Sequence, residues 1–595
     1  TGSSFAMTRY LSQTTVPYLR TAVTMLLVAS LSQPTTSGGT QQAPLGPPDP
    51  VPTFSDVTSA TGVDFQHHHG GTGNKQLAET MGSGAAWLDF DRDGRWDLYF
   101  VDSDGANALY RGSDDAFEAA PQANIADPSY GMGVSVSDYD GDGFSDVYIT
   151  NLGRNALYRN NGDGTFSGVT EEAGVGDPEW SVSSAWGDLN GDGLPDLYVA
   201  NYIVSNRENP LYCGEPDKGI RSYCHISLFD GVSDTVYRND GDGRFTNVSR
   251  EAGFTEDGKG LGVAMGHVDD DNWLDVYVAN DTTRNFLLLN RGGFMFEDVG
   301  LVSGVGYGAS GQPQAGMGTE LADLDGDGSP EILVTNFAFE PVNLYRSVAP
   351  GFFLDDTFQL GLGAATFPTL GFGLAVEDFD GDGDLDIAVA NGHILDDVSR
   401  MKDNVTFPQP NQVLVNRLTE LNLKYPAGTW RPDRNLLTET TWAAGEAISR
   451  LRVSRGMAAG DFNGDGRPDL AVVNSNGPAE LLRNDTPDTA NRLVLRLAGR
   501  KSDRDAVGTR LFVQPLDSEA RWAREVRSAS SYASQHASDV YFGLGLSPAA
   551  RVEIIWPGGD EETLGQLEAG RLYILAEGRG VIADRPLTVR ETTNR

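Results

Sequence analysis

The run Asp89-Phe-Asp91-Arg-Asp93-Gly94-Arg-Trp-Asp97 decides how the rest of the chain is read. It puts oxygen-bearing side chains at positions 1, 3, 5 and 9 and glycine at position 6, and six further versions follow it. The second is Asp138, Asp140, Asp142, Gly143 and Asp146, and the third is Asp188, Asn190, Asp192, Gly193 and Asp196. The fourth is degenerate, with His267, Asp269, Asp271, Asn272 and Asp275. The fifth is Asp323, Asp325, Asp327, Gly328 and Glu331; the sixth is Asp378, Asp380, Asp382, Gly383 and Asp386. The seventh is Asp461, Asn463, Asp465, Gly466 and Asp469. Starts lie 49, 50, 79, 56, 55 and 83 residues apart, the two long gaps being insertions. Such a period marks a repeat architecture.

Oxygen donors at 1, 3, 5 and 9, with a turn residue at 6, describe a cage for a hard cation that takes six to eight oxygens. Calcium is expected rather than magnesium, which keeps its waters and seldom uses a cage made wholly of protein. Position 7 is Arg95, Phe144, Leu194, Trp273, Ser329, Asp384 or Arg467, the indifference that a backbone carbonyl ligand would leave. An EF-hand begins the same way but needs a bidentate glutamate at position 12. Position 12 here is Phe100, Ile149, Val199, Val278, Val334, Val389 or Val472, so that reading fails.

After position 9 comes a short β-rich run ending in Asp or Asn, such as Leu98 to Asp102 or Val147 to Asn151, and before each loop comes a run of small residues such as Gly84-Ala-Ala-Trp-Leu. The loop therefore joins two adjacent strands. A further hairpin is expected at Asn155 to Phe166 and again at Val236 to Phe245, where Asn/Asp-Gly pairs separate β-formers. Four short strands per ~50 residues is the content of a propeller blade. The expected class is all-β: a seven-bladed β-propeller with a small C-terminal β domain. Residues 1–45 read as signal peptide and leader, 46–487 as propeller and 488–595 as the β domain. The run Phe54 to Thr58 resembles the ends of later units, so the first strand is expected to complete the last blade.

The chain has 595 residues, 84 acidic against 44 basic, for a formal charge of -40. Nucleic acid and anionic membrane surfaces are excluded as expected partners because the long-range term would be repulsive. Arg9 and Arg20 precede an apolar run from Thr21 to Leu31 that is too short to span a bilayer, so export is expected, to the periplasm, the cell surface or the medium. Cys213 and Cys224 are the only cysteines. In an exported chain they read as one local disulfide, the alternative being two free buried thiols.

On these residues the loops resemble FG-GAP/VCBS repeats of the integrin α-subunit head type, from about Thr53 to Asn484. The segments Arg504 to Arg510, Ser531 to Gln535, Tyr541 to Gly545 and Val552 to Gly559 resemble the ASPIC/UnbV domain, which follows FG-GAP repeats in the cartilage acidic protein family. The cysteine insertion and the segment from Phe65 to Gly82 resemble that family too. The resemblance implies an exported calcium-binding protein.

Outside the loops, His67, His68 and His69 invite a transition-metal reading, but three consecutive residues cannot all face one ion on a strand. Glu79 is a candidate acid/base partner for His67. No nucleophile elbow, phosphate loop, zinc motif or dinucleotide fingerprint stands in a credible context. The chain therefore reads as an extracellular scaffold binding protein or glycan through its insertions, with no catalytic residue assigned. The alternative is a calcium-dependent polysaccharide lyase or hydrolase with its site at the propeller mouth. Within the loops the fourth should bind calcium most weakly, since imidazole at His267 replaces a carboxylate. Calcium titration should resolve about six tighter sites and at most one weaker, and His267→Asp should tighten the weak one; seven equivalent sites would contradict this alignment.

Overall fold

The computed structural model describes residues 51–589 except 206–210, 216, 218, 219, 255, 401, 420, 422–435 and 488. The leader reading of residues 1–45 lies outside the described residues. The acidic loop becomes local structure in the same way seven times. In the first unit Ala85–Leu88 runs into the loop and Asp97–Phe100 returns beside it, with Ala86 opposite Tyr99. Ala108–Gly112 and Phe117–Ala119 complete a four-stranded antiparallel sheet. The strands entering the other six loops are Gly131–Ser137, Ser181–Gly187, Gly260–Gly266, Thr319–Ala322, Gly371–Glu377 and Ser454–Gly460. Each belongs to its own four-stranded antiparallel sheet, the arrangement of propeller blades.

Small residues in these entering strands have a steric reason. A Cβ on Gly133 would stand 2.2 Å from the Val182 carbonyl oxygen, and one on Gly262 would stand 2.1 Å from that of Met317. Neighbouring entering strands therefore approach closely, in sequence order, and Ser454–Gly460 returns to touch Ala85–Leu88. The seventh sheet takes its fourth strand from the other end of the sequence: Phe54–Asp56 pairs antiparallel with Glu480–Asn484, Phe54 opposite Asn484. The similarity of Phe54 to Thr58 to later unit ends was the signal for this pairing.

An asparagine latch joins most neighbouring sheets. Asn160, at the end of the second sheet's third strand, donates from Nδ2 to the carbonyl of Phe90 in the first loop, at 2.8 Å. Asn239 does the same to Tyr139, Asn290 to Leu189, Asn416 to Leu324 and Asn484 to Phe379. All five asparagines are buried. Each latch contributes about 1 kcal/mol net, and far more is lost if the carbonyl is left unpaired. The Tyr-Arg-Asn pattern that reads as a hairpin in sequence thus also ties one sheet to the loop of the one before.

The C-terminal segment forms two more four-stranded sheets. One pairs Arg492–Ala498 in parallel with Arg571–Ala576, and the other centres on Arg510–Pro515 and Ala549–Ile555. Between Trp522–Glu525 and Val540–Gly543 the chain leaves these sheets and runs among the entering strands of the repeats. Ser531 exchanges both backbone hydrogen bonds with Thr319, at 2.9 and 3.1 Å. Ala533 O accepts from Val134 N–H, Gln535 N–H donates to Ala85 O, and Ala537 N–H donates to Ala459 O. The Gln535 amide also bonds both backbone groups of Val136, and Ser531 Oγ lies between Leu374 N–H and Met457 O. One short segment is thus bonded to entering strands of five different sheets, that of Thr319 included.

That segment is expected to carry much of the fold's stability. Ser531 has a φ of 72°, which proline cannot adopt, and its N–H is bonded to Thr319. Ser531→Pro should therefore destabilise by ~2–4 kcal/mol, read as a fall of several degrees in Tm by calorimetry. An unchanged Tm would show that the threaded segment is not integral to the fold.

Candidate metal centres

Every acidic loop is drawn tight by its own backbone. The position 1 carboxylate accepts from the N–H at position 6: Asp89 from Gly94 at 3.0 Å, Asp138 from Gly143 at 2.8 Å, Asp188 from Gly193 at 2.7 Å, and likewise Asp323, Asp378 and Asp461. The position 5 carboxylate accepts from the N–H of position 7, as Asp93 does from Arg95 and Asp271 from Trp273, both at 2.9 Å. Gly94, Gly143, Gly193, Gly328, Gly383 and Gly466 all have positive φ, so glycine at position 6 meets a backbone requirement.

Position 9 has two tasks. Asp97 accepts at one oxygen from Phe90 N–H in the loop and at the other from Gly112 N–H on the third strand, at 2.9 and 2.7 Å. Asp146, Asp196, Asp275, Glu331 and Asp469 repeat both bonds with their own partners. Asp386 accepts from Asn416 N–H at 2.9 Å. The residue is fully buried in every unit.

These bonds bring carboxylates together. Asp89, Asp91 and Asp97 offer oxygens within 4.8 Å of one another, as do Asp138, Asp140 and Asp146; Asp323, Asp325 and Glu331; and Asp378, Asp380 and Asp382. Several buried oxygens in these loops have no hydrogen-bond partner: Oδ1 of Asp89, Asp138 and Asp325, and Oδ2 of Asp382 and Asp386. Buried polar atoms are nearly always satisfied, so orphaned carboxylate oxygens facing one another fit a hard cation. The third and seventh loops, with Asn190 and Asn463 at position 3, keep the remaining carboxylates Asp188, Asp192, Asp196, Asp461, Asp465 and Asp469 in the same backbone frame.

The fourth loop differs in geometry as well as sequence. The His267 imidazole turns to the C-terminal segment, its Nδ1 at 2.9 Å from Glu525 Oε1. Arg291 lies on the loop's own carboxylates, at 2.9 Å from Asp269 and 3.6 Å from Asp271, as Arg111 lies on Asp91 of the first loop and Arg467 on Asp465 of the seventh. Like the carboxylates of the third and seventh loops, Asp269, Asp271 and Asp275 are not among the converging groups found in the described residues. What sets the fourth loop apart is the missing position 1 carboxylate, which opposes cation binding there.

The histidine run does not form a centre. His67 is held at both ring nitrogens, Nε2 lying 3.1 Å from Ser103 Oγ and Nδ1 accepting from Asn476 N–H at 3.0 Å. Burial pushes its pKa down to about 3, so the ring is neutral. His68 Nδ1 lies 2.8 Å from Asp102, and His69 Nδ1 accepts from Gly71 N–H. The three rings have three separate partners, and with both His67 nitrogens engaged the expected pairing with Glu79 is not formed. Cys213 and Cys224 are disulfide-bonded.

Comparison with known proteins agrees with this geometry. FG-GAP-like repeat models match residues 89–149, 138–199, 267–334 and 323–389, and an FG-GAP repeat model matches 455–490. The ASPIC and UnbV model matches 499–582. The chain is therefore an FG-GAP repeat protein with an ASPIC/UnbV domain. It is distantly similar to cartilage acidic protein 1: 24 % identical over 321 residues to the Xenopus tropicalis protein and 25 % over 318 residues to the human one. Each match covers 53 % of this chain and under half of the relative, 44 % and 43 %. Among solved structures, an Agrocybe aegerita lectin described as recognising terminal N-acetylglucosamine aligns at 16 % identity and TM-score 0.32, over 60 % of this chain and 86 % of that one. YCF48 bound to D1 peptide aligns at 8 % and 0.38, over 68 % and 91 %. At such scores neither likeness establishes a shared architecture. The aspartate clusters are of the kind typical of FG-GAP calcium sites.

The electrostatics of the clusters give a sign. Burial, reinforced by neighbouring loop carboxylates and opposed by the two backbone bonds, pushes Asp97 up to about 8, and the same balance pushes Asp146 up to about 9. Unfolded, both ionise near 3.8. Between these values the folded state binds more protons than the unfolded one, so stability falls as pH rises. In chelator, Tm should drop from pH 5 to pH 8.5; in excess calcium, which requires ionised carboxylates, the drop should be abolished. A chelated protein more stable at pH 8.5 than at pH 5 would contradict this.

Proposed function

We propose that the chain is a secreted β-propeller of seven blades whose acidic loops hold calcium and whose insertions present a binding surface to a protein or glycan. Seven four-stranded antiparallel sheets, each with one acidic loop, support the blade count. Closure by Phe54–Asp56 supports a ring, with residues 46–487 as propeller and 488–595 as the ASPIC/UnbV-like domain. The metal ligands are the loop residues named above, weakest in the fourth loop. A disulfide and the distant similarity to cartilage acidic protein 1 support export. Among the described residues no helix is long and apolar enough to cross a membrane.

The observation that carries a binding role is the cysteine insertion. Val204, Leu211, Tyr212 and Leu228 stand 43–60 % exposed around the Cys213–Cys224 bridge, an apolar display on a stapled loop. Calcium then acts on the scaffold, by stabilising the folded form by RT ln(1 + [L]/Kd), ~2.7 kcal/mol per site at a hundredfold excess over Kd.

Two measurements test the reading. Tm should be markedly higher in millimolar calcium than in chelator, and an unchanged midpoint would sink the calcium assignment. A glycan and protein array probed in calcium should give a ligand whose binding is lost on Leu211→Ser with Leu228→Ser, with Tm unchanged. Binding that survives both substitutions would move the site elsewhere.

A further inference from the structure

The C-terminal domain covers the acidic loops, and it meets their position 1 residues with different charges. At the first loop, Arg496 lies 3.9 Å from Asp89 and donates to Gly94 O. At the second, Asp505 Oδ2 accepts from Ser137 Oγ at 2.7 Å and from Asp138 N–H at 3.0 Å, so its carboxylate sits beside that of Asp138. At the third, the Lys501 carbonyl lies where a Cβ on Gly193 would be only 2.5 Å away, and Asp503 is within electrostatic reach of Asp188. At the fourth, Glu525 holds His267. At the fifth and sixth, Arg524 donates to Gly383 O at 2.8 Å and acts electrostatically on both Asp323 and Asp378, while Gly543 N–H donates to Asp378 at 2.6 Å. At the seventh, Asp461 N–H donates to the Tyr541 hydroxyl.

Unpaired carboxylate oxygens stand at the second contact and in Asp503, as they do at Asp89 of the first loop. Asp138 Oδ1 and Asp503 Oδ2 are buried without a hydrogen-bond partner, in residues 3 % and 1 % exposed. Among the described residues no arginine or lysine is hydrogen-bonded to Asp503 or Asp505, the neighbouring Arg504 acting on Asp505 only at longer range. A like-charged pair such as Asp138 and Asp505 opposes folding unless a cation sits close by. At the first, fifth and sixth loops the protein has set a guanidinium in the corresponding place, which repels a cation instead.

We propose that the C-terminal domain is part of the metal sites: Asp505 serves the second loop as an additional carboxylate for the cation, making it the tightest site, whereas Arg496 and Arg524 weaken the first, fifth and sixth. The inference rests on the loops being calcium sites. It makes metal uptake and the seating of the C-terminal domain a single linked equilibrium, since the tightest site exists only when the domain is docked.

Stepwise calcium binding, followed by native mass spectrometry and calorimetric titration of the full chain, tests it. Asp505→Asn keeps an oxygen to accept the existing bonds while removing the charge. It should weaken the tightest step about tenfold, the scale of one nearby charge in partly solvated surroundings. Asp505→Asn should add nothing further in an Asp138→Asn background, and Arg524→Gln should tighten two weaker steps. Tm in chelator should stay level or rise for Asp505→Asn, because a like-charge contact is lost. Titrations superimposable on wild type, or a lowered Tm in chelator with affinity intact, would make Asp505 a structural cap only and overturn the proposal. A wild-type chain that takes up no calcium would overturn the calcium reading of the loops as well.

Discussion

The fold depends on one buried carboxylate per repeat, at position 9 of the acidic loop. Asp97 and its six counterparts bind backbone N–H groups, and six of the seven tie the loop to the third strand and to the loop's own start at once. A carboxylate is suited to this because it has two acceptor oxygens and no donor to leave unpaired. The cost is that burial in a cluster of acids disfavours its charge. Geometry that organises a hairpin therefore also creates demand for a cation, and structure and metal chemistry cannot be varied independently at these positions.

The second constraint is the segment from Ser528 to Ala537. Strands rich in glycine, alanine and serine approach one another closely, but their inner edges still carry backbone groups that need partners. The threaded segment supplies them from Ser531, Ala533, Gln535 and Ala537, with Ser528 Oγ donating to the Trp186 carbonyl. Tyr532 is wholly buried at its tip, edge-on to Phe372 and bonded to Met81 O. The C-terminal domain is thus joined to the repeats by backbone hydrogen bonding as well as by its own charged face.

Much of this was legible in sequence because the repeat is short and its chemistry explicit. Oxygen donors at fixed spacing, small residues before them and β-branched residues after them fix each loop between two strands, and the similarity of Phe54 to Thr58 to later units anticipates the pairing with Glu480–Asn484. What the sequence did not reveal depends on contacts between distant residues. Nothing in Arg504-Asp-Ala-Val marks Asp505 as lying against Asp138, a partner 367 residues away. The Asn160 latch is hidden because its pattern also describes a hairpin. The alternation of the tail reads as β structure, but the run Ser528 to Ala537 carries no sign that it leaves its own sheets. His267 reads in sequence as a poor ligand, and its engagement by Glu525 needs the tertiary structure.

The central claim is that the position 1, 3, 5 and 9 oxygens enclose cations. The most direct measurement is a crystal structure grown in calcium, with anomalous scattering recorded at long wavelength to locate the ions. The account predicts peaks within coordination distance of Asp89, Asp91 and Asp97 and of their counterparts in the second, third, fifth, sixth and seventh loops, with the strongest occupancy beside Asp138 at limiting calcium. Well-ordered loops with no anomalous peak in any of them, at saturating calcium, would contradict it.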